Sequence, residues 1–177
     1  MKHNCFIKTI FLFLILILFN NKVFAENKTV YLDLNYILKE SIAGKSSNTE
    51  LSKLQSQKFL IFKEQEKVLM NEKETINKQK SIIKKEEYIK KVDKLKNDIS
   101  KYKKNRKIFI DELNKKKIET QKLLLQSLEL VLSEYSKVNN IALIMQKKNI
   151  LLGKSELDIT KVILKKFNEK IKKIDLK

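Results

Sequence analysis

The stretch from Lys45 to Leu152 contains neither glycine nor proline, which are the strongest local interrupters of regular structure. The whole chain has only two glycines, Gly44 and Gly153, and no proline. Nothing in more than a hundred residues therefore forces a turn. The stretch is rich in Lys, Glu, Leu and Ile, a composition typical of long helices and coiled coils.

Apolar residues, together with one threonine, recur in adjacent pairs at a spacing of seven. The pairs are Ile61/Phe62, Val68/Leu69, Thr75/Ile76 and Ile82/Ile83. A repeat of seven is the period of a coiled coil. A second apolar seam with alternating three- and four-residue steps follows, made of Val92, Leu95, Ile99, Tyr102, Phe109 and Leu113. Two seams in series predict an antiparallel coiled-coil hairpin over residues 46–122, with its turn near residues 81–87.

Short strands are predicted on both sides of this helical stretch. Before it, Val30, Leu32 and Leu34 alternate with polar or amphipathic residues, which is the period of a half-buried strand. Asn35 then provides a cap for a short helix. After the stretch, residues 141–145 predict a second strand.

The remaining C-terminal residues complete a small α/β unit. Residues 146–149 are predicted to form a turn, and residues 150–152 a third strand that pairs with the second as a hairpin. Asp158 is expected to cap a final helix that runs from Ile159 to Lys173.

The segment from Leu123 to Leu132 is apolar nearly all around a helix, and such a helix must be buried. Three short strands and parts of three helices make a poor core by themselves. We therefore predict a homo-oligomer whose chains share a β-containing body built from residues 26–45 and 123–177. Its structural residues are predicted to be Val30, Leu32, Leu34, Leu128, Val131, Ile141, Leu143, Met145, Ile150 and Leu152.

Residues 1–25 have the pattern of a signal peptide. Lys2 and Lys8 precede an apolar run that ends at Phe19, and Val23 and Ala25 provide small residues at positions −3 and −1 of a cleavage site. The run is too short to cross a bilayer, which requires about 20 apolar residues. We expect cleavage after Ala25 and export; an uncleaved anchor is the alternative.

The chain that remains after this cleavage lacks the usual catalytic side chains. It has 36 Lys and Arg against 21 Asp and Glu, a net charge of +15, and neither Cys nor His. Residues 44–46 and 153–155 both read Gly-Lys-Ser, but Lys39 and Lys148 stand where a phosphate-binding loop needs its other glycine. Enzyme activity, a cofactor and a metal site are therefore not expected.

A strongly basic chain that does not catalyse is expected to bind anionic partners, because its field raises their encounter rate. Envelope lipids, lipopolysaccharide and acidic proteins are the favoured classes. Nucleic acid is not expected, since the lysines are spread along the helices without a groove-reading motif. Candidate contacts with a client or an anionic surface at the hairpin tip are Lys84, Lys85, Lys90 and Lys91.

The order of these elements resembles the Skp/OmpH family of periplasmic chaperones. The resemblance covers essentially the whole exported chain. Its most specific part is residues 141–161, where the predicted strands lead into the sequence Ser-Glu-Leu-Asp-Ile-Thr at residues 155–160.

The resemblance implies more than the residue pattern does. Family members are jellyfish-shaped trimers, with a β-barrel body from which three helical hairpins extend. They act without ATP as holdases in the periplasm, binding unfolded outer-membrane proteins after export and preventing their aggregation. The alternatives are a structural coiled-coil protein of the envelope and, less favoured, a basic nucleic-acid-binding protein.

Overall fold

The structure, a computed structural model, describes residues 28–175. The expected signal peptide and its cleavage after Ala25 lie outside these residues. The elements are, in order, β1 (Lys28–Leu32), α1 (Leu34–Glu40), α2 (Ile42–Gln79), α3 (Lys85–Val138), β2 (Ile141–Gln146) and α4 (Thr160–Lys170). Single 3-10 turns occupy Lys147–Asn149 and Ser155–Leu157. The prediction of a mainly helical chain with long helices and a small strand part is confirmed.

Helices α2 and α3 pack against each other in antiparallel directions and form an arm. Glu66 accepts a hydrogen bond from the Tyr102 hydroxyl at 3.3 Å, and Glu72 forms an ion pair with Lys94 at 3.5 Å. At the end of the arm, residues 80–84 connect the helices, and the N–H groups of Ile82 and Ile83 donate to the carbonyl of Gln79. None of the helices in residues 28–175 combines the length and apolar character needed to cross a membrane.

The two strands form a parallel pair at the base of the arm, with Val30 opposite Ile144. The predicted hairpin between residues 141–145 and 150–152 is wrong, because residues 150–152 form no strand and β2 pairs with β1 instead. The chain leaves the strand at Lys147, enters a 3-10 turn and returns along the other side of β1. There the N–H of Ile159 donates to the carbonyl of Tyr31 at 2.9 Å.

Strand β1 is shorter than predicted, and the first cap lies earlier. Leu34 belongs to α1 and not to the strand. Asp33 caps this helix, since its carboxylate accepts a hydrogen bond from the N–H of Tyr36 at 2.9 Å. The alternation of Leu32 and Leu34 arises because both pack against the same core, so the period-2 pattern extended past the end of the strand.

Helix α4 closes the core of the body over the root of α3. Ile37, Leu128, Ile163 and Phe167 are fully buried there. The helix spans Thr160–Lys170 and is shorter than the predicted 159–173. Asp158 holds its start, as its carboxylate accepts hydrogen bonds from the N–H and the hydroxyl of Thr160.

Candidate functional site

The heptad pairs of α2 divide between two environments. The second members face α3: Phe62 is 5% exposed and Ile76 is also buried. The first members face solvent: Ile61 is 50% exposed and Val68 is 62% exposed. Half of the repeat therefore joins the arm helices, and the other half leaves an apolar row on the surface.

This row lines a continuous trough along one face of the arm. It consists of two adjoining grooves of about 670 and 390 Å³, and Ile61, Gln65 and Asn105 line both of them. Leu60 and Val68 line the part nearer the tip, and Leu54 and Ile108 the part nearer the body. We call this surface the arm trough; its exposed apolar residues are Leu54, Leu60, Ile61, Val68 and Ile108.

The arm trough differs in charge from the rest of the arm. Residues 46–122 contain 22 Lys and Arg against 12 Asp and Glu, a net charge of +10. The trough is lined by three lysines and four acidic residues, a net charge of −1. The excess positive charge therefore lies on other faces of the arm, and the apolar trough is nearly neutral.

Aromatic packing supports the trough from below. Phe62 lies 6.0 Å from Tyr102 and 5.8 Å from Phe109, measured between ring centroids, and Phe59 lies 6.2 Å from Phe109. Edge-to-face and tilted ring pairs of this kind are favourable contacts. Together with Leu51 and Leu113, Phe62 and Phe109 form the buried core of the arm. This core fixes the spacing of the two helices that border the trough.

Known proteins share this architecture. The family model described as outer membrane protein (OmpH-like) matches residues 28–167. The chain belongs to the OmpH-like family. A crystal structure of an OmpH-like protein from Caulobacter crescentus CB15, to which an outer-membrane chaperone role has been ascribed, superposes with a TM-score of 0.79. The two sequences are 14% identical, and the match covers 85% of this chain and 89% of the other. No curated protein gives a significant match.

The predicted tip lysines of this OmpH-like chain fall into two groups. Lys84, Lys85 and Lys90 are exposed. Lys91 is partly buried, donates to the Gln79 side chain at 2.9 Å and pairs with Glu87 at 3.2 Å. Lys91 therefore joins the two helices beside the turn. The charged side chains of the other three lysines face solvent.

The residues predicted for the oligomer body also divide. Four of them, Val30, Leu32, Leu128 and Val131, are buried in the core of a single chain, in one cluster with Ile163 and Phe167 of α4. Leu34, Ile141 and Ile150 are partly buried, whereas Leu143, Met145 and Leu152 are exposed. Among the predicted residues, the exposed ones therefore lie on β2 and in the loop that follows it.

A charged cluster beside β1 stabilises the return of the chain to α4. Lys147 donates to the carboxylate of Asp158 at 2.7 Å. Partial burial raises the pKa of Asp158, but hydrogen bonds from Lys147 and Thr160 outweigh it and leave the pKa below its ordinary value. Hydrogen bonding to Asp158 raises the pKa of Lys147. Within residues 28–175, no cluster of His, Cys, Asp or Glu has the composition of a metal site.

The arm trough was not predicted from the sequence. Both members of each heptad pair were assigned to one seam, although adjacent residues of a helix do not face the same partner helix. The signal was present in the pairing itself. A strict coiled-coil seam alternates single apolar positions, and a second apolar residue beside each of them widens the apolar stripe beyond what one partner helix covers.

Proposed function

We propose that this OmpH-like protein is an ATP-independent periplasmic holdase, which binds unfolded outer-membrane proteins after export and prevents their aggregation. The observation that carries the proposal is the nearly neutral apolar trough on a strongly basic arm. Scattered exposed apolar residues are common on soluble proteins, whereas contiguous apolar patches commonly mark binding sites.

The two properties of the arm serve different steps of client capture. Basic faces accelerate the encounter with acidic or anionic partners over long distances. The trough then takes up apolar client segments, at about 25 cal/mol for each Å² of apolar surface removed from water. Because its individual contacts are few and shallow, such binding is reversible without an energy source.

The exposed edge of the small sheet bears on how the chains assemble. The outer edge of β2 is unpaired in the described part of the chain, and Leu143 on this strand and Leu151 and Leu152 in the loop after it are exposed. Strand edges of this kind pair readily with a further chain. We therefore propose a homotrimer with a shared β-barrel body, reached in the periplasm after cleavage behind Ala25. Lipid or lipopolysaccharide binding by the basic surfaces is part of the same proposal.

An aggregation assay tests the proposed holdase function. An outer-membrane barrel protein is diluted from urea in the presence of near-stoichiometric trimer, and aggregation is followed by light scattering. We expect suppression by the wild type and loss of suppression by the double variant Ile61→Ser, Val68→Ser. Because both side chains are exposed, the variant should keep the fold.

A matched control removes at least as much exposed apolar surface elsewhere on the arm. Met70 and Ile118 are each 67% exposed and do not line the trough. The double variant Met70→Ser, Ile118→Ser should suppress aggregation as the wild type does. If the wild type itself fails to suppress aggregation, the holdase function is wrong. If both double variants behave alike, the function stands but the trough is not its site.

A further inference from the structure

The residues that follow the family-matched part of the chain cross the base of the arm. We call residues 168–175 the C-terminal strap; it contains the last turn of α4 and the extended segment behind it. At its start, the side-chain oxygen of Asn168 accepts a hydrogen bond from the N–H of Ile42, the first residue of α2, at 2.8 Å. Near its end, Ile174 is only 9% exposed and packs into the core of the body.

The arm joins the body through a polar junction. The body core ends at Ala43 on α2 and Leu124 on α3, and the separate arm core begins at Leu51 and Leu113. Between them, the buried side chains are Ser47 and Thr120.

Neither of these two hydroxyls links the two helices by a hydrogen bond within the described residues. Thr120 donates to the carbonyl of Lys116 in its own helix at 2.7 Å, and the Ser47 hydroxyl has no hydrogen-bond partner among the described residues. Neither hydroxyl supplies the apolar contact that joins the helices elsewhere. The junction is therefore the place where arm and body are least firmly packed.

The strap spans this junction with charged contacts on both sides. On the body side, Lys170 forms an ion pair with Glu134 of α3. On the arm side, Lys173 lies 3.9 Å from the carboxylate of Glu50 on α2. Asp175 borders a cavity of about 440 Å³ at the junction, together with Lys116 and Thr120 of α3. The strap thus touches both arm helices as well as the core of the body.

We propose that the C-terminal strap is a clamp that sets the angle between arm and body by covering the polar junction. Ile174 anchors the clamp, and its charged side chains hold the two arm helices. Because these ion pairs are exposed, they weaken as salt rises, so the clamp loosens with ionic strength. A loosened clamp lets the arm swing outward; that this admits larger clients rests on the proposed holdase function.

Hydrogen–deuterium exchange on the assembled protein without client tests the clamp. In the variant Ile174→Ala, the amides of residues 46–50 and 116–122 should exchange about tenfold faster, because truncation of a buried aliphatic side chain removes local packing. Amides around Phe62 in the arm core and around Phe167 in the body core should be unchanged. The control Val162→Ala truncates an apolar side chain of α4 outside the strap and should leave the junction unchanged.

Each other outcome overturns the clamp. Unchanged exchange at the junction shows that the strap does not hold it. Equal acceleration throughout the body core shows that Ile174 is an ordinary core residue. Since no client is present, either result leaves the aggregation experiment independent, and a failure of the holdase function leaves this measurement interpretable.

Discussion

Truncation of Phe62 tests whether the arm is stabilised by one buried aromatic cluster. Phe62 is 5% exposed and contacts the rings of Tyr102 and Phe109. Removal of a buried Phe side chain costs about 3–5 kcal/mol in a closed core. A two-helix arm admits water to part of the space left behind, so we expect the lower end of this range. Phe62→Ala should thus lower the local opening free energy of the arm by about 3 kcal/mol.

The matched control is Phe59→Ala. Phe59 is 38% exposed, and among residues 28–175 its ring packs against that of Phe109 only. Its truncation should therefore cost about 1 kcal/mol, in line with the smaller buried apolar area.

Native-state hydrogen exchange at residues 55–66 and 100–112 measures both variants. A loss of about 3 kcal/mol speeds exchange of the arm amides roughly 100-fold, and a loss of about 1 kcal/mol speeds it roughly fivefold. Amides of β1 and α4 should not change. Equal effects of the two variants would refute the assignment of Phe62 to the arm core.

Three further predictions concern the root, the tip and the return to α4. Gly44→Ala should lower the free energy of unfolding by about 1–3 kcal/mol, because the added Cβ would lie 1.8 Å from the carbonyl oxygen of Leu38; thermal unfolding beside the exposed control Asn48→Ala checks it. Charge reversal of the exposed tip lysines should slow client capture at low salt. It should matter little near 1 M salt, where the Debye screening length is about 3 Å. Stopped-flow binding measures the capture rate, and an equal loss of rate at both salt concentrations contradicts the prediction. The variant Lys84→Glu, Lys85→Glu, Lys90→Glu serves this purpose. Asp158→Asn should destabilise the body above about pH 3.8, the ordinary pKa of that carboxyl. Since the folded pKa is lower, the wild-type advantage disappears as pH falls through it; thermal unfolding against pH shows whether the two curves converge in acid.

The helical part of the fold could be predicted from local rules. The absence of glycine and proline between residues 45 and 152 and the heptad pairs specify long helices without any knowledge of the partner. The assignment of Leu34 failed for a local reason, since Asp33 and Asn35 are both good caps and only the hydrogen bond from the N–H of Tyr36 decides between them. Cap choice depends on a geometry that composition does not specify.

The strand pairing could not be predicted in the same way. Residues 150–152 are apolar and follow a turn, which favours a hairpin. The edge of β1 instead receives Asp158, which is held by Lys147 and Thr160, and Ile159, whose N–H donates to the carbonyl of Tyr31. The contacts of Tyr31 with Asp158 and Ile159 join residues more than a hundred positions apart, and a local period in the sequence does not encode them. The heptad pairs of α2 do indicate a second apolar row, but which member of a pair stays exposed, Ile61 and not Phe62, follows from the position of α3.

The most direct test of the central claim is photo-crosslinking to an unfolded outer-membrane protein. A photoreactive side chain replaces Ile61 in the trough or Met70 on another exposed part of α2, and the client is added from urea before illumination. We predict strong crosslinking from position 61 and weak crosslinking from position 70. Crosslinking that is equal at both positions, or stronger at position 70, contradicts the assignment of client binding to the arm trough.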